Sequence, residues 1–140
     1  VGSEMCIRDR IDKIILHCSA TKEGRHFTAE DIDRWHRARG FAKIGYHHVV
    51  YLDGSVHTGR DESLIGAHCL GHNATSIGVC YIGGLDTAGN PKDTRTEAQK
   101  AALTGLVDNL KARYPNAKVH GHNEFAAKAC PCFDVKKEFR

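Results

Sequence analysis

Apolar and polar positions along the chain alternate between strand-like and helix-like periods. Residues 11–16 are rich in β-branched and aliphatic side chains and predict a first strand. Thr28 and Asp31 form a capping pattern, with Asp where Glu is usual, so a helix is expected from Ala29 to about Arg39. Ile32 and Trp35 form its inward stripe, Gly40 supplies the stop, and His36 falls to the solvated side. Residues 45–51 read as a second strand, Asp53-Gly54 as a hairpin turn, and residues 55–58 as a third strand. Alternation sends Tyr46, His48 and Val50 to one face, and His47 and Val49 to the other.

Residues 59–75 carry no period and read as a long loop, with a short helical turn near residues 61–64. The apolar run at residues 76–82 is most simply a buried central strand, with Cys80 as a small core residue. A second loop covers residues 83–93. Thr96-Glu97-Ala98-Gln99 is a capping box, and Leu103, Leu106, Val107 and Leu110 give the stripe of a long helix that Tyr114-Pro115 ends. Residues 118–120 predict a last short strand and residues 134–140 a terminal helix. No internal repeat or linker interrupts the order, which predicts one α/β domain over residues 11–140. Residues 1–10 fit no period and read as a leader or an artefact outside the fold.

Composition narrows the function classes. The chain has 140 residues and a formal net charge of +3, with no Lys/Arg run of nucleic-acid-binding density. No apolar run reaches the roughly 18 residues of a membrane helix. Asp9 and Arg10 break any signal-peptide core, so the protein is expected to remain in the cytoplasm on synthesis. The six cysteines are Cys6, Cys18, Cys69, Cys80, Cys130 and Cys132. Without an export signal they are expected to be reduced, with one or two on a metal. Ten histidines favour metal or acid–base chemistry.

That chemistry concentrates in the stretch from Val119 to Phe133, where His122, Lys128 and Cys130 lie within nine residues. A neutral imidazole and a thiolate are zinc ligands, and two of them make half a site. His17, at the carboxyl end of the first strand, is the candidate third, because α/β folds build sites there. A strand-end histidine bonded to backbone is the plain alternative. Three protein ligands would leave one tetrahedral position open, the catalytic arrangement. The spacing matches no zinc finger, and Cys130-Pro131-Cys132 lacks the second cysteine pair that would complete a structural site.

In order along the chain come Ile15-Leu16-His17-Cys18-Ser19-Ala20-Thr21, Gly45-Tyr46-His47, Asp53-Gly54, Gly66-Ala67-His68, Ser76-Ile77-Gly78-Val79-Cys80 and Lys128-Ala129-Cys130-Pro131. Together, over about residues 11–139, they resemble the zinc-dependent N-acetylmuramoyl-L-alanine amidases of the phage lysozyme type, relatives of the peptidoglycan recognition proteins. The resemblance implies a mixed central β-sheet flanked by helices, with one zinc ion in a cleft at the sheet edge. It implies hydrolysis of the amide between N-acetylmuramic acid and L-alanine of peptidoglycan. By matching position, His17, His122 and Cys130 would hold zinc, Tyr46 and Lys128 would be catalytic, and His68 and Asn73 would line the substrate cleft. A monomer acting on the cell wall after holin-assisted release, as for phage endolysins, is the implied mode of action. Cys132 departs from the family, where a small hydroxyl residue is more usual. It stands as a competing ligand, an oxidation partner of Cys130 or a core residue, and His120 stands as an alternative ligand. A peptidoglycan-binding module without catalysis is the rival function, and a regulatory protein that holds another protein is a third.

Overall fold

The strand β1 (Lys13–Cys18) lies inside the sheet, paired on both edges, and brings His17 to its carboxyl end. The computed structural model describes residues 11–69 and 71–139. In chain order β1 is followed by β2 (Thr21–Lys22), α1 (Ala29–Ala38), β3 (His48–Val50), β4 (Val56–Thr58), β5 (Ser76–Tyr81) and β6 (Gly84–Leu85). Then come α2 (Glu97–Arg113), β7 (Lys118–Gly121) and α3 (Val135–Phe139). The main sheet has the order β4-β3-β5-β1-β7, and β2 pairs with β6 in a small second sheet. Strands β3, β5, β1 and β7 run parallel, and the hairpin strand β4 is antiparallel to β3. This is the mixed sheet that the resemblance implies. Residues 1–10 lie outside the described residues.

Helices cover both faces of the sheet. Ile14, Leu16, Val50, Val79 and Tyr81 pack with Leu103, Val107 and Leu110 of α2, while Val49, Cys80 and Ile82 pack with Ile32 of α1. Each buried Leu or Val side chain contributes about 1.5–3 kcal/mol, which is what holds the helices to the sheet. Both helices begin as the capping patterns predict. Thr28 Oγ1 accepts from Asp31 N–H at 3.2 Å and Thr96 Oγ1 from Gln99 N–H at 3.0 Å, with the reciprocal bond made in each case. Gln99 is fully buried, and its Nε2 also donates to Ile82 O at 2.9 Å, tying α2 to the end of β5. At the other end of the chain, Arg95 pairs with Asp93 and Glu138 and stacks over Phe133, Cζ to centroid 3.5 Å, which seats α3.

Two sequence expectations change. The predicted strand at residues 45–51 is regular only from His48 to Val50. Gly45 presses so close to residue 67 that an added Cβ would lie 2.1 Å from Ala67 O. The backbone bends at Gly45 and His47, so simple alternation fails, and Tyr46 packs with the cluster that holds Val49. His36, expected in solvent, is buried at 8% exposure. It follows Ile32 by one helical turn and so shares its inward face. Its Nδ1 accepts from Gly45 N–H at 2.9 Å, which satisfies the buried ring.

Candidate metal centre

Register brings the first two ligands together. In the parallel pair β1–β7, Leu16 stands opposite Gly121. The next residue in each segment is a histidine, His17 still on β1 and His122 just past the end of β7, so the two stand at one level with ring centroids 4.5 Å apart. Cys130 reaches them from the loop after β7. Tyr81, buried on β5, donates its hydroxyl to Pro131 O at 2.6 Å and so pins that loop one residue beyond the thiol. Cys130 Sγ accepts from Cys18 N–H at 3.1 Å and lies 3.9 Å from His17 Nδ1. One ligand atom each from His17, His122 and Cys130 lies within 4.8 Å of the others. A nitrogen and a sulfur on one tetrahedral zinc are about 3.5 Å apart, given bonds of about 2.0 and 2.3 Å, so the donor set fits that ion in both chemistry and spacing.

Electrostatics prepare the two rings for a cation. Burial lowers the pKa of His17 well below its ordinary value, and His68, His122 and Lys128 lower it further. Burial and the Lys128 charge also lower that of His122. Both imidazoles are therefore neutral at pH 7, as metal ligation requires. On the side of His17 away from Cys130, its Nε2 lies 2.9 Å from His68 Nδ1. His68 Nε2 in turn lies 3.2 Å from Ser76 Oγ. Asn73 Oδ1 accepts from the backbone N–H groups of His68 and Cys69, both at 2.9 Å, and closes the turn that carries His68.

Tyr46 stands beside the cluster, its ring centroid 5.1 Å from that of His17 and 5.3 Å from that of His36. Burial, then the nearby Cys80 and Cys130 thiols, push its pKa well up, so its hydroxyl keeps its proton. Lys128 is exposed on the loop between His122 and Cys130. The structure brings His17, His122, Cys130 and Tyr46 together, with His68 behind His17, Asn73 holding the turn of His68, and the Lys128 charge close enough to act on both histidine rings. Two alternatives fall elsewhere. His120 Nδ1 is 2.9 Å from Glu124 Oε1, and β7 ends at Gly121, so alternation does not carry His120 to the cluster. Cys132 Sγ contacts Gly84 O at 3.2 Å and Cys18 Sγ at 3.9 Å, and burial raises its pKa to about 12. Sequence reasoning missed Ser76, Gly78 and the inward face of His36. The Ile32–His36 spacing was the signal for the last.

Comparison with known proteins agrees with this geometry. The family of N-acetylmuramoyl-L-alanine amidases matches residues 8–133. The endolysin of Klebsiella phage KP32 is 42% identical over 130 residues, which cover 93% of this chain and 86% of that protein. The amidase LysC from Clostridium intestinale superposes with a TM-score of 0.79 at 26% identity, covering 93% of this chain and 83% of its own. Drosophila PGRP-LB superposes with a TM-score of 0.74 at 26% identity, covering 86% and 74%. With its fold, strand register and cluster of His17, His122 and Cys130 in view, the chain belongs to the N-acetylmuramoyl-L-alanine amidase family.

Proposed function

We propose that the protein is a zinc-dependent amidase of the endolysin type that cleaves peptidoglycan between N-acetylmuramic acid and L-alanine. The observation that carries this reading is the approach of one donor atom each from His17, His122 and Cys130 to within 4.8 Å, beside a protonated Tyr46. These three residues would hold the ion. Zinc in such an open three-ligand site supplies Lewis acidity toward a carbonyl and lowers the pKa of water.

The chain's own groups supply the rest. Cys18 N–H donates to Cys130 Sγ and holds it beside His17 Nδ1. Tyr46 Oη, kept protonated, donates a hydrogen bond to the oxygen on which charge develops as the amide carbonyl is attacked. Lys128 stabilises the same charge as a cation, and one such donor is worth about 3 kcal/mol. His68 and Asn73 serve substrate through the wall they build, since His68 contacts His17 and Ser76 and the Asn73 oxygen serves two backbone groups. No helix among the described residues is long and apolar enough to cross a membrane. We assign the protein to the cell wall after release, acting as a monomer.

Digestion of purified peptidoglycan tests the reaction. New L-alanine amino termini without new reducing sugar ends are expected, and chelation should abolish them. Tyr46→Phe should keep the metal and lose about 100-fold to 1,000-fold in turnover. Wall binding with release of neither end would instead assign the protein to the recognition class that PGRP-LB's name describes. Full activity in a zinc-free preparation would remove the metal from the mechanism.

A further inference from the structure

We propose that Ser76 and His68 are positioning residues that set the tautomer of His17, leaving Nδ1 as its metal-binding nitrogen. A backbone carbonyl oxygen can only accept, and one stands at the head of the line. His72 O lies 2.7 Å from Ser76 Oγ, so the hydroxyl donates its single proton there. With that proton committed, Ser76 Oγ accepts from His68 Nε2, 3.2 Å away. A neutral His68 with its proton on Nε2 carries its lone pair on Nδ1. That lone pair faces His17 Nε2 at 2.9 Å, so His17 donates from Nε2. A neutral His17 that donates from Nε2 has its lone pair on Nδ1, the nitrogen 3.9 Å from Cys130 Sγ. Each proton in the line is thus placed by the one before it, beginning from a backbone carbonyl that cannot change roles.

The fold holds the line rigid. Ser76, Gly78 and Cys80 alternate onto one face of β5, and Cys80 stands opposite His17 in the parallel register. Gly78 gives the His68 ring its seat. A Cβ there would lie 2.6 Å from His68 Cδ2 and 2.9 Å from its Nδ1. One strand therefore supplies both the polar anchor and the flat surface against which the ring lies. The tautomer is a property of the metal-free protein, and its consequence for metal rests on the zinc reading above. Partners behind a ligating histidine fix ring orientation and raise ligand basicity, and losing them costs about 10-fold to 100-fold in metal affinity.

The test uses full-length protein with 15N-labelled histidine, measured metal-free at pH 7.5. Long-range 1H–15N spectra are expected to show His17 protonated on Nε2 and bare on Nδ1. Ser76→Ala should mix the two His17 tautomers and weaken Zn2+ binding about 10-fold to 100-fold in chelator competition. His68→Leu should do the same. His68→Asn, whose amide oxygen takes the place of Nδ1, should restore both the tautomer and the affinity, which a merely structural role would not. Nδ1 protonation of His17 in the wild type would overturn the proposal. So would unchanged tautomer and affinity in both Ser76→Ala and His68→Leu. Wild-type protein that shows the expected tautomer but binds no Zn2+ would uphold the relay and overturn the zinc reading instead.

Discussion

The two irregular walls beside His17 are built differently. The wall of residues 59–75 is fastened by bonds to the rest of the protein. Arg60 N–H donates to Tyr46 O, Ala67 N–H to Gly45 O, and the Arg60 guanidinium to Ile44 O and Lys43 O. His47 Nε2 bonds Leu64 O at 2.8 Å, and Glu62 binds His48, Arg113 and Tyr114. The wall after β7 is fastened at its ends, by Glu124 on Gly121 N–H and by Cys130 and Pro131 on Cys18 and Tyr81. Between these ends the backbone bonds are local, such as Lys128 N–H to Ala126 O at 2.8 Å, and Phe125 stacks on His72 of the facing wall, centroids 4.2 Å apart. Only this second wall carries two of the proposed ligands, with Lys128 between them. One wall is thus assembled by protein alone, and zinc would complete the other.

The largest effect that sharpens this contrast is loss of a ligand. Cys130→Ser is expected to weaken Zn2+ binding by more than the roughly 100-fold that is the upper cost of losing an outer partner. Amide hydrogen exchange should then rise at residues 123–129 and stay unchanged at residues 59–69. Cys132→Ser should leave both zinc and exchange as they were, because Cys132 Sγ faces Gly84 O and Cys18. Zinc release by the Cys132 change alone would mean that the wrong thiol is the ligand. Equal loosening of the two walls would erase the distinction between them.

How far the sequence carried depends on the kind of interaction. Thr28 with Asp31 and Thr96 with Gln99 act within a single turn, so both helices were legible from spacing. His17 was legible because an apolar strand ends on it. What spacing could not contain was the Leu16–Gly121 register that sets His122 beside it, since strands far apart in sequence choose their offset through the whole core. The same holds for His36. Its spacing from Ile32 marked the inward face, but its polarity suggested solvent, and the partner that satisfies it there, Gly45 N–H, lies in a distant loop. His68 is placed in the cleft lining by the resemblance, and its contact with Ser76, the first residue of β5, is not contained in any spacing. The polar line behind His17 exists only once β1 and β5 pair.

Next in size is the fastening of the first wall by Glu62. Burial would raise the Glu62 pKa, but hydrogen bonds from His48, Arg113 and Tyr114 outweigh it and hold the carboxyl at about 2. A folded pKa below the unfolded one adds stability that is complete above the unfolded value, 4.5, and lost as pH falls toward 2. The drop from 4.5 to about 2 corresponds to about 3 kcal/mol for a side chain that is 14% exposed. Glu62→Gln should lower stability at pH 7 by about that much in denaturant titration. It should also flatten the loss of stability between pH 4.5 and pH 2. An unchanged acid limb would show that the wall is fastened by its backbone bonds instead.

The smallest expected effect separates building the wall from touching the substrate. Asn73 Oδ1 accepts two backbone N–H groups at 2.9 Å each, so Asn73→Ala leaves two donors without their acceptor. A cost of about 1–2 kcal/mol follows, below that of Glu62→Gln because neutral bonds replace an ionic one. Asn73→Asp keeps the accepting oxygen and replaces the donor amide nitrogen with a second, negatively charged acceptor. If Asn73 builds the wall, Asp restores stability and leaves KM for peptidoglycan fragments at the wild-type value, the expected outcome. If its amide nitrogen contacts the substrate, stability returns while KM rises. That split would move Asn73 from the fabric of the wall to its surface, and would give the protein-built side of the site a direct part in recognition.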